Sequence, residues 1–172
     1  GKTCGIFGLG AIGFAFAKMA QGFGMRVISY SRHKKTDPKY DFIEQVDFHT
    51  FLKESDVISI HAPLTPSTEN TFDAEAFAKM KDGVILINTA RGGLIVEEAL
   101  ADALRSGKVY GAGLDVMRDE PPKKDNPLFH LNNTSITAHI AWLTRASRLR
   151  AIDIAIENFK AYLNGTPTSV IN

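Results

Sequence analysis

Residues 3–13 read T-C-G-I-F-G-L-G-A-I-G, and this stretch decides the fold class. The apolar run Thr3 to Phe7 predicts a strand, and it leads directly into glycines at Gly8, Gly10 and Gly13 at the start of a predicted helix. In such a turn the first glycine permits the tight bend and the second lets the backbone approach a pyrophosphate. The third glycine lets the helix lie against the strand.

The position of this turn makes the motif informative. A second predicted strand, Arg26 to Tyr30, follows, so strand, turn, helix and strand fit within about 30 residues. The unpaired N–H groups and the positive end of a helix at this point face a bound anion. The sequence therefore predicts a dinucleotide-binding turn, and a plain tight turn or a site for another nucleotide-type ligand is the alternative.

Short β-type runs alternate with helical stretches along the whole chain, which predicts an α/β fold with a doubly wound parallel sheet. The runs are short and continuously apolar, as is typical of buried central strands. The predicted strands are Thr3–Phe7, Arg26–Tyr30, Val57–His61, Val84–Asn88, Val109–Leu114 and Thr134–Thr137. The predicted helices are Ala11–Gly22, Asp73–Met80, Val96–Ser106 and Arg145–Leu163. The polar, proline-bearing segments 31–50 and 116–133 are expected to be loops with at most short elements.

Composition narrows the classes of function. A chain of 172 residues with 44% apolar residues has the size of one domain and can fill one core. A formal charge of +1 gives no general attraction to nucleic acid or to a membrane surface. The single cysteine, Cys4, permits no internal disulfide and no zinc cluster, which suits a reducing cytosol. We therefore expect a cytoplasmic protein with no metal, nucleic-acid or membrane partner.

The end of the second predicted strand bears on the choice of cofactor. An NAD-preferring site usually offers an Asp or Glu there to the adenosine ribose. This chain instead has Ser31 and Arg32, and no carboxylate comes before Asp37. A hydroxyl and a guanidinium can donate hydrogen bonds to a 2'-phosphate, which a carboxylate would repel. The sequence thus favours NADP(H), with NAD(H) or a merely solvated basic loop as alternatives.

Charged residues follow the later strands, at the edge where ligands of an open parallel sheet lie. Reduction of a carbonyl by hydride requires a proton donor, and a 2-oxo acid also requires a cation for its carboxylate. Arg91 can grip a planar carboxylate with its fork of donors. Asp115 and, further on, Glu120 follow another strand, and a histidine held by a carboxylate is a suitable acid. By position alone His61 and His139 are nearly equal candidates for that acid, and His33 is a weaker third.

Several blocks of the chain resemble the D-isomer-specific 2-hydroxyacid dehydrogenase family. They are G-K-T-C-G-I-F-G-L-G-A-I-G (1–13), H-A-P-L-T-P-S-T (61–68), I-N-T-A-R-G-G-L-I-V-E-E-A-L (87–100), G-L-D-V-M-R-D-E-P-P (113–122), N-P-L-F (126–129) and T-A-H-I-A-W (137–142). Two features depart from the usual family pattern. Ala138 stands where the family usually has Pro, and the Ser31-Arg32 pair resembles the glyoxylate and hydroxypyruvate reductase branches that use NADPH.

The resemblance implies a Rossmann fold and a role for each matching residue. Arg91 would bind the substrate carboxylate and carbonyl, His139 would be the acid and base, and Glu120 would hydrogen-bond His139. Asp115 would contact the nicotinamide amide, and Trp142 would shape the substrate pocket, unless it is an ordinary core aromatic. The expected cofactor-binding residues are Gly8, Gly10, Ala11, Ile12, Gly13, Ser31, Arg32, His61, Ala62, Pro63, Thr68, Thr89, Ala90 and Asp115. The implied reaction is that of an NAD(P)-dependent dehydrogenase on a small 2-oxo acid, hydroxypyruvate or glyoxylate, as in glycerate dehydrogenases.

Family members also carry a substrate-binding domain, mostly N-terminal to the part that resembles this chain. We therefore expect residues 1–172 to be a dinucleotide-binding domain with little turnover alone, and the intact protein to be a homodimer. The helix 145–163 has apolar residues on several faces, so it is expected either to be deeply buried or to meet a second domain or subunit. On the second reading, residues 145–172 pack back toward the missing substrate domain.

Two other functions remain open from the sequence. A cofactor sensor or corepressor that resembles the same family could retain the same residues, because binding and catalysis share them. A different user of the fold, such as a methyltransferase, is disfavoured by the Ser31-Arg32 pair and by the set Arg91, Glu120 and His139.

Overall fold

The computed structural model describes residues 1–171. The chain forms two compact units, Gly1–Ala138 and the residues from His139 onward. The strands are β1 (Thr3–Phe7), β2 (Arg26–Tyr30), β3 (Glu44–Gln45), β4 (Val57–Ile60), β5 (Val84–Asn88), β6 (Val109–Leu114) and β7 (Thr134–Ile136). The α-helices are α1 (Ala11–Gly22), α2 (Phe48–Glu54), α3 (Ala74–Lys79), α4 (Glu97–Arg105) and α5 (Arg145–Leu163). Short 3-10 helices lie at Pro38–Tyr40, Gly92–Leu94 and Pro127–His130.

The first unit is built on one parallel sheet. Its strands follow the order β3-β2-β1-β4-β5-β6-β7, and each neighbouring pair is parallel. The chain winds outward in both directions from β1, so the order reverses between β1 and β4, where ligands of doubly wound sheets bind. Phe7 pairs with both Tyr30 and Ile60, so Gly8, Ser31 and His61 leave the sheet side by side. The predicted doubly wound, Rossmann-type α/β fold is confirmed.

The predicted strands agree closely with the structure. β1, β2, β5 and β6 have the predicted bounds, and β4 and β7 each end one residue earlier than predicted. The segment 31–50 holds short elements, as the sequence allowed, among them β3, but the start of α2 within it was not predicted. These elements are too short to show a hydrophobic period. The Asp47 carboxylate begins α2 by accepting a hydrogen bond from the Thr50 amide at 3.0 Å.

The predicted helices are also present. α1 and α5 have the predicted bounds, and α3 and α4 lie one residue inside the predicted bounds at each end. Glycines follow α1 and α4 in the left-handed conformation that ends helices, at φ +73° for Gly24 and +78° for Gly107. None of the helices in the described part of the chain is long and apolar enough to cross a membrane.

Each face of the sheet carries its own apolar core. On one face Ile6 and Val27 pack with Ala17 of α1. On the other face Phe7 packs against the buried rings of Phe51 and Phe72, and the Phe7 and Phe72 ring centroids lie 4.9 Å apart. Successive strand residues point to opposite faces, so both faces can be apolar only if the strands are apolar throughout.

The second unit contains α5. Its first turn is capped by Thr144, whose hydroxyl accepts a hydrogen bond from the Ser147 amide at 3.2 Å. No residue of α5 is buried, and Ile152 and Phe159 are 56% and 62% exposed. The helix is therefore present as predicted, but the expectation that it is deeply buried is wrong. Its apolar residues lie on several faces of the helix, so the apolar pattern alone did not show whether the helix is buried.

We predict that the thiol of Cys4 is unreactive in the folded chain. Cys4 is 1% exposed, and its burial raises the pKa of the thiol to about 11, so almost no thiolate is present near pH 8. A disulfide reagent should label the native chain at least about a hundredfold more slowly than the unfolded chain. Labelling in denaturant is the control, and comparably fast labelling of the native chain would contradict the burial of β1.

Candidate functional site

Two of the three motif glycines are required by backbone packing. Gly8 has φ +95°, and a Cβ placed on it would lie 2.6 Å from the Ala62 amide nitrogen. A Cβ on Gly13 would lie 2.3 Å from the Gly8 carbonyl oxygen. Both distances are shorter than any side-chain atom tolerates, so β1, α1 and the residues after β4 can meet only through glycine.

Gly10 is different, because a Cβ on it would meet nothing within 4 Å. Packing therefore does not explain this glycine. It is the N-cap of α1, no side chain of the described residues caps the helix there, and the first turn holds no acidic residue. The helix start thus presents its amide groups and positive end to open space, a cradle that fits a pyrophosphate.

A cavity of about 580 Å³ opens in front of this turn. It extends from Gly10 along the end of β2 to the residues after β4, and its volume lies in the range of cofactor sites. The expected cofactor-binding residues that line it are Gly8, Gly10, Ser31, Arg32, His61, Ala62, Pro63 and Thr68. The structure therefore brings these eight residues together around one space.

The cavity wall beyond β2 is basic. Arg32, His33 and Lys35 line it, and no carboxylate side chain does so among the described residues. The Ser31 hydroxyl accepts a hydrogen bond from the Leu9 amide at 2.8 Å, which ties this wall to the glycine turn. The exposed Arg32 guanidinium donates through Nη2 to the hydroxyl of Ser67. This wall suits a second anionic group beyond the pyrophosphate.

His61 also lines this cavity. Its Nε2 is 2.9 Å from the Ser59 hydroxyl, and its ring centroid lies 5.5 Å from that of Phe16. Desolvation by burial lowers the pKa of His61 below the ordinary histidine value. The ring therefore tends to stay neutral near pH 7, which makes His61 a poor proton donor.

The turn that carries Arg91 is held by a buried amide that the sequence analysis missed. The Asn88 side chain is fully buried, donates to the Arg91 carbonyl at 2.9 Å and accepts from the Ala90 amide at 3.0 Å. An Asn at the end of a strand and ahead of a turn is the signal that could have identified it. Arg91 itself is exposed, and its Nη1 donates to the Ala90 carbonyl at 2.6 Å.

The Arg91 turn touches the loop that carries Glu120. A Cβ on Gly92 would lie 2.0 Å from the Met117 carbonyl carbon, so the two backbones are in direct contact. Oε1 of Glu120 accepts a hydrogen bond from the Met117 amide at 3.1 Å. Asp115, which precedes this loop, is buried and accepts a hydrogen bond from the Thr137 hydroxyl. The first unit thus places the Arg91 and Glu120 segments next to each other.

His139 and Trp142 belong to the second unit. His139 has φ +55°, a left-handed conformation that costs a non-glycine residue about 1 kcal/mol. Trp142 is 54% exposed. The expected hydrogen bond between Glu120 and His139 stays a prediction, because the two residues lie in different units.

Other expected cofactor residues lie outside the cavity. These are Ala11, Ile12, Gly13, Thr89, Ala90 and Asp115. Gly13 is required by packing, as described above, and Ile12 is exposed on α1. The cavity also has lining residues that the sequence analysis did not name, among them Tyr30, Lys35, Phe48, Thr65 and Ser67. They come from three separate segments, and only the fold shows that they face one space.

Residues 1–141 match the sequence model of the family described as D-isomer specific 2-hydroxyacid dehydrogenase, NAD binding domain. The chain belongs to this family. The resemblance in the sequence blocks is thereby confirmed, and the chain is an NAD(P)-binding domain of this family. Gly8, Gly10 and the start of α1 fit the pyrophosphate of that cofactor.

Individual relatives share the fold across nearly the whole chain. A hydroxypyruvate reductase of Blautia hydrogenotrophica is 48% identical over 172 residues, which are 100% of this chain and 53% of the relative. The NAD complex of a D-isomer specific 2-hydroxyacid dehydrogenase from Lactobacillus delbrueckii ssp. bulgaricus has a TM-score of 0.92 at 34% identity, covering 99% of this chain and 56% of that one. An acyclic imino acid reductase in complex with NADPH and D-Arg has a TM-score of 0.90 at 38% identity, covering 99% and 54%. The chain spans about half the length of these relatives.

We predict that Gly10→Ala weakens dinucleotide binding without destabilising the fold. The added methyl group projects into space that packing leaves empty, where it obstructs the approach of a pyrophosphate. The dissociation constant should rise at least about tenfold, which corresponds to ~1.4 kcal/mol, while the free energy of unfolding changes little. Cofactor fluorescence and denaturant unfolding measure the two quantities.

Gly22→Ala is the matched control, because Gly22 lies on the same helix and its Cβ would also meet nothing within 4 Å. It should leave binding unchanged. Equal affinities for Gly10→Ala and the unmodified chain would show that the dinucleotide does not approach this turn.

Proposed function

We propose that this chain is the cofactor-binding half of an oxidoreductase that transfers hydride between NADP(H) and a small 2-hydroxy or 2-oxo acid, with hydroxypyruvate or glyoxylate as the substrate. The observation that carries this proposal is the cavity in front of Gly10, which joins an anion cradle to a basic wall. Membership of the family supports the reaction class, and the Blautia relative named hydroxypyruvate reductase supports the substrate class.

The preference for NADP(H) rests on charge. A 2'-phosphate adds a strong anion beside the adenosine ribose, next to the end of β2 in this type of site. Arg32 and Lys35 line that part of the cavity, and no carboxylate of the described residues faces it. Ser31 keeps its hydroxyl hydrogen available, because its oxygen is the acceptor for Leu9. Similar solved structures include an NADPH complex and an NAD complex, and we assign the preference of this chain to these residues.

Residues at the ends of the later strands bind and orient the substrate. The bound cofactor supplies the hydride. Arg91 projects an exposed guanidinium from a turn fixed by Asn88, which suits a planar carboxylate and the neighbouring carbonyl. Asp115, Thr89 and Ala90 would hold the nicotinamide end of the cofactor.

His139 donates the proton to the substrate oxygen, and Glu120 is its proposed carboxylate partner. Two observations support His139 over His61 for this role. Burial makes His61 hard to protonate, as its lowered pKa shows. His139 is kept in a left-handed backbone conformation, and such strain clusters at functional residues. Trp142 contributes to the wall of the substrate pocket.

The second unit supplies a surface for the remainder of the enzyme. Residues 145–172 pack against the domain of the intact enzyme that corresponds to the unmatched half of the family members. The intact enzyme is a cytoplasmic homodimer. The support is α5, whose apolar side chains are exposed on several faces. An exposed apolar area of this kind is typical of an interaction surface.

We predict that the chain binds NADPH more tightly than NADH and that Arg32→Ala removes most of the difference. Loss of the guanidinium should raise the dissociation constant for NADPH about tenfold and leave that for NADH nearly unchanged. Titration with each reduced cofactor, followed by fluorescence, measures both constants.

Lys34→Ala is the matched control, because Lys34 is exposed in the same basic run but does not line the cavity. It should change neither constant by more than about twofold. Equal affinities of the unmodified chain for the two cofactors would remove the NADP preference from the proposal.

We predict that this chain alone shows little or no reduction of hydroxypyruvate or glyoxylate, although it binds NADPH. Water must be excluded and the substrate oriented before hydride transfer is fast, and that requires the second half of the cleft. In a polypeptide that also carries that half, turnover should appear, and His139→Gln should lower kcat about a hundredfold or more. The absorbance of the reduced cofactor reports the rate.

Ordinary enzyme rates from this chain alone would contradict the need for a second half. Tight NADPH binding by the joined polypeptide without turnover on any 2-oxo acid would instead support a cofactor-sensing, corepressor-like role.

A further inference from the structure

Ser67 lies across the cavity from the end of β2. It nevertheless contacts Arg32, the positively charged residue that follows β2. We propose that Ser67 is a positioning residue that sets cofactor preference by holding the Arg32 guanidinium toward the 2'-phosphate. The inference rests on the proposed function, since it concerns how the NADP preference arises. It gives the loop after β4 a role in recognition of the adenosine half of the cofactor.

The contact joins two loops that are far apart in sequence. Arg32 Nη2 donates to Ser67 Oγ, and both residues line the cavity. The two loops follow β2 and β4, the strands on either side of β1. The contact therefore bridges the mouth of the crevice where the strand order reverses.

A chain of hydroxyl groups fixes the orientation of Ser67. Its Oγ lies 3.0 Å from Thr65 Oγ1, which lies 3.0 Å from Thr68 Oγ1. Thr68 Oγ1 donates to the Pro63 carbonyl at 2.7 Å and accepts from the Thr65 amide at 2.8 Å. Since the Thr68 hydrogen goes to that carbonyl, Thr65 donates to Thr68, and Ser67 in turn donates to Thr65.

This direction leaves the Ser67 oxygen as an acceptor toward Arg32. A guanidinium has five N–H donors, so one can be held by Ser67 while the others face the cavity. Arg32 is exposed, and an exposed arginine samples many rotamers unless something restrains it. When Arg32 is already held in one arrangement, phosphate binding has a smaller conformational entropy cost.

The cofactor preference depends on the chemical character of the side chain at position 67 as much as on its contact with Arg32. A hydroxyl is neutral, so it restrains Arg32 without neutralising it. A carboxylate at this position would pair with the guanidinium and repel a 2'-phosphate. Threonine would keep the hydroxyl, whereas alanine would lose it. Because Ser67 is exposed, these changes leave the core untouched.

The test compares dissociation constants of NADPH and NADH for this chain and its variants, with fluorescence of the reduced cofactors as the readout. Ser67→Ala should weaken NADPH binding about three- to tenfold and leave NADH binding unchanged. Ser67→Thr should retain the preference for NADPH, and Ser67→Asp should abolish it. In the Arg32→Ala background, Ser67→Ala should have no further effect, because Ser67 acts through Arg32.

The outcomes separate this inference from the proposal on which it rests. If the unmodified chain prefers NADPH and Arg32→Ala abolishes the preference, but Ser67→Ala leaves it intact, the inference alone is overturned. Equal weakening of NADPH and NADH by Ser67→Ala also overturns it, because the loop then has only a structural role. If the unmodified chain does not prefer NADPH, both the cofactor preference and the inference are overturned.

Discussion

Backbones approach one another closely where β1, α1 and the segment after β4 meet. Gly8 and Gly13 permit this approach, because a methyl group on either would lie within 2.6 Å of a backbone atom. This contact sets the position of the first helix on the sheet. It also leaves the front of that helix uncovered, so the anion cradle, the cavity and its basic wall all depend on two positions that accept no side chain.

A second contact of the same kind organises the other half of the sheet edge. Gly92 brings the turn of Arg91 against the backbone of Met117, in the loop that also carries Glu120. The buried side-chain amide of Asn88 also stabilises the Arg91 turn through two hydrogen bonds. The glycine turn and the Arg91 turn are thus both positioned by backbone contact and buried polar groups. Exposed charges such as Arg91 can therefore extend from rigid supports.

Much of this arrangement could be predicted from the sequence, because the informative residues are local. β1, β2, β5 and β6 are continuous apolar runs, and the glycine turn has a fixed spacing. α2 escaped prediction, since seven residues are too few to show a helical period. Ser67 also escaped, because it meets Arg32 only through the fold, across 35 positions of the chain. Burial of the His61 ring, which disfavours it as an acid, likewise has no signature in the sequence.

The contrast between Gly10 and its two neighbouring glycines has a consequence for descent. Backbone packing requires Gly8 and Gly13 but not Gly10, and on the proposed function the requirement for Gly10 comes from the ligand. In a lineage whose copies no longer use a dinucleotide, mutation would be free to alter the middle glycine while the outer pair persisted. The residue at the position of Gly10 would then distinguish two kinds of diverged copy. Some copies are still selected to bind the coenzyme, and others are retained only for their fold.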